Sequence, residues 1–133
     1  MHNVVMKLDS DGIEKTTVEV GNDATTKRIS PRNAKRIQEF VDSYQVEIDV
    51  VGSRVDLTKQ LVPGQSDWDY LIKPAQDVVP RKSLRAIEKS ANKYLPRSRL
   101  RTDNFGNTRA GLDVECNVPL IAGKPYVKFR PRA

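Results

Sequence analysis

The feature that most constrains this chain is an alternating apolar run that stops at a glycine. Val46-Glu47-Ile48-Asp49-Val50-Val51 alternates and is rich in β-branched residues, so it reads as a strand, and Gly52-Ser53 ends it. Just before it, Ala34, Ile37, Val41 and Tyr44 recur at spacings of three, four and three. They follow Ser30-Pro31, a capping serine and a proline tolerated at the first helical position. The sequence therefore predicts a helix that feeds almost directly into a strand, and with it a mixed α+β architecture.

The rest of the chain extends that pattern. Residues 4–8 and 13–20 read as two strands, with the turn-forming Asp9-Ser10-Asp11-Gly12 between them. Residues 21–30 are polar and read as a connection. Residues 54–61 read as a short helix with Val55, Thr58 and Leu61 on one face, and Pro63-Gly64-Gln65 reads as a turn. A second strand spans 68–72, and Lys73-Pro74 ends it. Ser83 is expected to cap a second helix reaching Tyr94, with Leu84, Ile87, Ala91 and Tyr94 facing inward and Pro96 stopping it. Residues 97–109 read as a basic loop, and 112–116 and 126–129 as further strands. The fold class is α+β: a small mixed sheet flanked by helices, with an N-terminal β-hairpin. An N-terminal hairpin and extension cover 1–30, and a domain with a basic C-terminal part covers 31–133.

Two counts narrow the chemistry. The 133 residues include one cysteine, Cys116, and one histidine, His2. An intrachain disulfide is excluded, and a structural zinc site, a Ser-His-Asp triad and a Cys-His pair are all disfavoured. Any catalysis must then rest on carboxylates, which prefer hard cations such as Mg²⁺. No stretch approaches the roughly 18 apolar residues of a membrane span, and no charged-then-apolar leader opens the sequence.

Charge is unevenly placed. Residues 1–80 hold 10 basic and 13 acidic side chains, whereas residues 81–133 hold 13 and 4, so the halves carry −3 and +9 within a net +6. A cationic half this dense points to a polyanion partner. Arg97, Arg99, Arg101, Arg109, Lys128 and Arg130 are the candidate contacts to RNA.

The acidic residues fall into a pattern with chemical content. Thirteen residues after Gly52-Ser53 comes Asp67-Trp68-Asp69-Tyr70-Leu71-Ile72. On a strand, Asp67 and Asp69 share a face with Cα atoms about 6.5–7 Å apart, close enough to hold one or two divalent cations. Trp68 and Tyr70 then pack inward. Leu112-Asp113-Val114-Glu115-Cys116 repeats the logic, with Asp113 and Glu115 on one face and Cys116 on the core side. A third carboxylate from this strand would complete a metal cage, with Asp113 the first choice and Glu115 the second. Gly52 lets a phosphate approach the backbone, and Ser53 adds a hydroxyl beside a helix start.

In these residues the chain resembles the nucleotidyltransferase superfamily, of polymerase-beta-like fold. Its signature is an apolar strand ending in Gly-Ser, a short spacer, Asp-x-Asp within a strand, and a third acid on another strand. Val51-Gly52-Ser53, Asp67-x-Asp69 and Asp113 match it, and the resemblance spans residues 32–116. Many members follow Gly-Ser-x with a small residue and a glycine, whereas Arg54-Val55-Asp56 stands here. The resemblance implies transfer of a nucleoside monophosphate from an NTP, such as ATP, to a hydroxyl, with release of pyrophosphate. Asp67, Asp69 and Asp113 would be catalytic and hold Mg²⁺ or Mn²⁺, and Gly52, Ser53 and Arg54 would bind the nucleotide. The expected acceptor is RNA, with tRNA foremost. AMPylation-type transfer to a protein or small molecule, and an inactive nucleotide- or RNA-binding module, are the alternatives. More narrowly, the chain is similar to small toxin domains at the C-termini of bacterial polymorphic or contact-dependent toxins. That similarity implies action in the cytoplasm, delivery within a larger secreted protein and a cognate immunity protein as partner.

Overall fold

The computed structural model describes residues 4–10, 14–62, 66–74, 81–99, 101–102, 105–109 and 111–132, with backbone alone for 4–10, 14–17, 81, 101–102 and 108–109. In chain order the elements are β1 (Val4–Ser10), β2 (Glu14–Gly21), α1 (Pro31–Tyr44), β3 (Val46–Val51), β4 (Trp68–Pro74), α2 (Arg81–Tyr94), β5 (Arg101–Thr102), β6 (Thr108–Arg109), β7 (Leu112–Cys116) and β8 (Tyr126–Phe129). Six strands form one mixed sheet in the order β1-β2-β8-β3-β4-β7, and β5 and β6 form a separate two-stranded hairpin. Every neighbouring pair in the large sheet is antiparallel except β4 and β7. The N-terminal hairpin is thus continuous with the sheet through β8.

Strand alternation gives the sheet two unlike faces. Registered pairs run across it in apolar rows: Val20, Val127, Val50, Tyr70 and Val114 in one, and Val18, Phe129, Ile48, Ile72 and Cys116 in the next. These rows meet Ala34, Ile37, Phe40 and Val41 of α1 and Ala91 and Leu95 at the end of α2 in a single core. Removing that apolar surface from water, at roughly 25 cal/mol per Å², is what holds both helices on this face. The opposite face carries the polar residues of the same strands, and among the described residues no helix covers it.

Local chemistry explains the joints. The Ser30 hydroxyl accepts from Asn33 N at 3.1 Å, the N-cap that its position predicts. Gln45, at φ 52°, ends α1 in a left-handed conformation and turns the chain straight into β3. Tyr44 is exposed rather than inward, and it stacks on Phe40 with ring centroids 4.4 Å apart.

Tyr94, expected to face inward, is exposed as well, and three further expectations shift. Residues 54–61 are not a helix: a 3-10 turn spans Gly52–Arg54, and looser turns follow. The Asp56 carboxylate accepts from Thr58 N and Thr58 Oγ1, at 3.0 and 2.6 Å, so a side chain takes the place of a helical carbonyl. Helix α2 starts at Arg81, so Ser83 lies within its first turn rather than capping it. Arg81 and Lys82 are good helix formers and extend the helix backwards. Part of the expected basic loop is the β5–β6 hairpin. The turn at residues 11–12 and the Pro63-Gly64-Gln65 turn lie outside the described residues. No helix among those described is long and apolar enough to cross a membrane.

Candidate active site

The site forms where β3 ends. Val51 is paired with Asp69 across β3 and β4, and Asp69 is paired with Asp113 across β4 and β7. One row of the open face therefore reads Val51-Asp69-Asp113. The parallel pairing matters here, because it fixes Asp113 beside Asp69 and sets Glu115 beside Leu71, one row further along.

Gly52 completes the row. Its φ is +76°, a conformation L side chains rarely adopt, and a Cβ there would collide with the Asp69 carboxylate. The backbone and the acid are in contact, and only glycine permits both. Asp69 is half-buried, and its carboxyl is pushed up to about 6. Burial is the largest cause. Repulsion from Asp113 and Asp67 adds to it, Lys59 opposes it, and a hydrogen bond with Asp113 favours the protonated form. Carboxylates crowded in this way mark a place where negative charge is held against its own repulsion.

Asp67 sits just before β4 on a different support. Ser98 Oγ lies 3.5 Å from Asp67 Oδ1 and donates to the Gly111 carbonyl at 3.2 Å. Gly111 also accepts from Trp68 N and Ser98 N, each at 3.1 Å. The starts of β4 and β7 and the segment after α2 are thereby tied at one point.

A cavity of about 300 Å³ opens over the row. Gly52, Asp69, Asp113 and Glu115 line it, as do Asp56, Lys59 and Lys124. Its apolar lining includes Val118, Pro119, Leu120 and Ile121, from the connection between β7 and β8. The size is at the lower end of small-ligand pockets, and convergent polar groups against an apolar wall are their usual composition.

The predicted residues divide in two. Gly52, Asp69 and Asp113 are brought together on the cavity, Asp67 adjoins them, and Glu115 lines it. Ser53 is half-buried and does not line it. Its carbonyl accepts from Arg28 Nη1 at 2.7 Å. Arg54 is buried away from the cavity: its guanidinium lies 4.4 Å from the Trp68 ring centroid and donates to the Ser66 carbonyl at 3.0 Å. Trp68 and Tyr70 pack in the core as their alternation predicts.

The basic candidates also divide. Arg97 and Arg99 are exposed. Arg101 and Arg109 face each other in the β5–β6 register, and their side chains lie outside those described. Lys128 is 4.0 Å from both Glu47 and Asp49, and Arg130 reaches Glu19 at 3.1 Å and Glu47 at 3.3 Å. These last two are engaged by the sheet's own acids.

Three contributors were not legible beforehand. Arg28, in the polar connection, donates through Nη1 to the carbonyls of Ser53, Asp56 and Lys59 at 2.7, 3.2 and 2.9 Å. One guanidinium thus clamps the whole loop that follows Gly52. Lys59 and Lys124 are single loop lysines, and no pattern of spacing marks them.

The donor set suits a hard divalent cation, since it consists of carboxylates only and the pairing of β4 with β7 sets Asp69 beside Asp113. Among the described residues no group of three or more Asp, Glu, His or Cys side chains converges into a closed cage. The arrangement is an open pair, Asp69 with Asp113, with Asp67 and Glu115 beside it. No family model, curated protein or solved structure matches the chain, so the residues of this site are what a functional reading must rest on.

Proposed function

We propose that the chain is a nucleotidyltransferase that moves a nucleoside monophosphate from an NTP to a hydroxyl of RNA, on a nucleotidyltransferase-like fold. The observation that carries the reading is the row Gly52, Asp69, Asp113. A glycine that lets the backbone lie against the Asp69 carboxylate stands beside an acid pair fit for divalent cations, on a cavity that also has apolar lining. A nucleoside triphosphate has that division: a charged tail and a flat, largely apolar base.

In this reading Asp69 and Asp113 hold Mg²⁺ or Mn²⁺, with Asp67 completing the set. Bound cations would neutralise the triphosphate and ease deprotonation of the attacking hydroxyl. The chain's own residues do the rest. Gly52 leaves room for the Asp69 carboxylate, and Lys59 and Lys124, which also line the cavity, meet the charge of the phosphates. Arg28 fixes the loop that carries Lys59. Val118 and Ile121 face the base and keep water from it. The acceptor oxygen attacks the α-phosphorus, the bond to the bridging oxygen of pyrophosphate breaks, and Asp113 takes the hydroxyl proton.

The test is incubation of the purified chain with total tRNA, Mg²⁺ and each of four α-³²P-labelled NTPs. An Asp67→Asn/Asp69→Asn variant runs beside it. Label on RNA that depends on one NTP and vanishes in the variant is the expected result. Label on a protein band with RNA blank moves the acceptor to protein. No label anywhere, with the fold intact, overturns the enzyme reading.

A further inference from the structure

Helix α2 presents an exposed row of cations that the site above does not use. Lys82, Arg85, Lys89 and Lys93 are all exposed, at spacings of three, four and four. At about 100° per residue the four fall within an arc of about 80°. They lie opposite the seam of Ile87, Ala91 and Leu95 that faces the core. They are the outermost ridge of the helix. Arg97 continues the row four residues on, its guanidinium folded back to donate to the Asn92 carbonyl, and Arg99 follows, exposed. The one acid of α2, Glu88, lies on the flank between ridge and core.

The ridge differs from the cations of β8 and the segment after it in having no ion pair among the described residues. Lys128, Arg130 and Arg132 are held by Glu19, Glu47, Asp49 and Asp42. Among the described residues no acid pairs with the four cations of α2. Lys93 alone has a near neighbour, lying 5.3 Å from the Tyr94 ring centroid.

The row also leads to the site. Tyr70 Oη donates to the Pro96 carbonyl at 2.6 Å, and Ser98 bonds Gly111 and approaches Asp67. The C-terminal end of the ridge is therefore anchored where β4 and β7 begin, beside the acidic row. From Lys82 to Lys93 the ridge runs about 17 Å at 1.5 Å per residue. That covers about five phosphates at the roughly 3.4 Å per phosphate of a duplex strand.

We propose that this outer ridge of α2, continued by Arg97 and Arg99, is the track on which an RNA phosphate backbone docks with its acceptor end directed to Asp69 and Asp113. An acidic protein is the less suitable occupant. Protein interfaces are depleted in lysine and centre on large apolar anchors. This ridge is three lysines and an arginine, with Ala86 and Ser90 beside them. The direction of the acceptor end rests on the nucleotidyltransferase reading, whereas the docking surface does not.

The experiment measures binding of a 5′-fluorescein-labelled 20-nucleotide RNA by anisotropy across 50–300 mM KCl. It compares the wild-type chain with Lys82→Gln/Arg85→Gln/Lys89→Gln/Lys93→Gln. Glutamine keeps helix propensity, and circular dichroism checks the fold. Four lost phosphate contacts should flatten the slope of log K against log salt by about 3, at about 0.7 per contact for a single strand, and weaken binding at least about tenfold at low salt. A control, Lys27→Gln/Arg32→Gln/Lys35→Gln, removes charge away from the ridge and should move the slope by less than about 1. An unchanged slope in the ridge variant, or an equal loss in the control, overturns the track. Tighter binding of a 20-residue polyglutamate than of the RNA overturns it in favour of an acidic protein. Nucleotide transfer with an unchanged slope sinks the track and leaves the enzyme. The predicted slope change without transfer from any NTP sinks the enzyme and leaves the track.

Discussion

The open face of the sheet carries acids at both ends, and the two ends handle them differently. Toward β2 and β8, Glu19, Glu47 and Asp49 are interleaved with Lys128 and Arg130, each cation within 4.0 Å of two acids. The Tyr126 hydroxyl donates to Glu19 at 2.7 Å and holds that carboxyl below its usual range. Toward β7, Asp69, Asp113 and Glu115 line a cavity whose cations are loop lysines. Asp49 and Asp69 both have carboxyls pushed up to about 6, and burial is the main cause in each. The order of the secondary causes separates them: at Asp49 the opposing Lys128 comes ahead of the acids Glu47 and Glu19, whereas at Asp69 the acids Asp113 and Asp67 come ahead of the opposing Lys59. One end is self-neutralised, and the other is left for a cation from solution. Residue type alone says nothing about which acids are functional; what distinguishes them is whether the fold supplies a partner.

The largest effect expected is on turnover. Asp69→Asn should lower nucleotide transfer by about a hundred- to a thousandfold or more, the scale of losing a group that holds charge in the transition state. Asp49→Asn, an equal change on the same face, should leave transfer within a few-fold. Equal losses at both positions would break the distinction between the two ends. Single-turnover assays with the labelled NTP decide it.

Next in size is the response to Mg²⁺. A cation that binds only the folded chain stabilises it by mass action, by about 2.7 kcal/mol at a hundred times its Kd. Thermal melts of the wild type should rise with Mg²⁺, and those of Asp69→Asn/Asp113→Asn should not. Glu19→Gln, at the paired end, should keep the rise.

Gly52→Ala should cost about 1–3 kcal/mol, because it places a side chain at positive φ and against the Asp69 carboxylate. Urea unfolding measures that cost. Transfer should fall with it, since the collision displaces Asp69.

Much of this face was legible in the sequence. Strand alternation set Asp67 with Asp69 on one face of their strand and Asp113 with Glu115 on one face of theirs, and the Val51-Gly52 boundary marked where β3 stops. The pairing was not legible: that Asp113 rather than Glu115 stands opposite Asp69 depends on the register of two strands 44 residues apart, fixed by Gly111 and Ser98. The surroundings of Arg54 were not legible, since the resemblance implies a nucleotide ligand there. In the fold it is drawn onto Trp68, whose ring offers it an apolar face. The ion pairs of the C-terminal cations were not legible for a related reason. Charge asymmetry along the chain does not reveal that Lys128 and Arg130 lie on a strand between two strands bearing acids. Arg28 gave no signal, since its partners are three carbonyls and carbonyls leave no trace in a sequence.

The smallest effect tests the paired end directly. Asp49 is 8% exposed, and its Oδ1 has no hydrogen-bond partner, with Lys128 Nζ 4.0 Å away. Its carboxyl goes from 3.8 to about 6 on folding, so between those values the folded chain binds more protons than the unfolded one. Stability contributed by the neutral form is therefore present below about pH 4 and lost as pH rises through 6. Asp49→Asn mimics the neutral form at every pH. It should be more stable than the wild type by about 1–2 kcal/mol at pH 7.5, discounted for the attraction to Lys128 that it also removes. The gain should vanish toward pH 4, where the wild-type carboxyl is itself protonated. Urea titrations at pH 4 and 7.5 read the difference. A loss of stability at pH 7.5 would mean that the Lys128 contact outweighs burial, and that the paired end is held together by its charges rather than in spite of them.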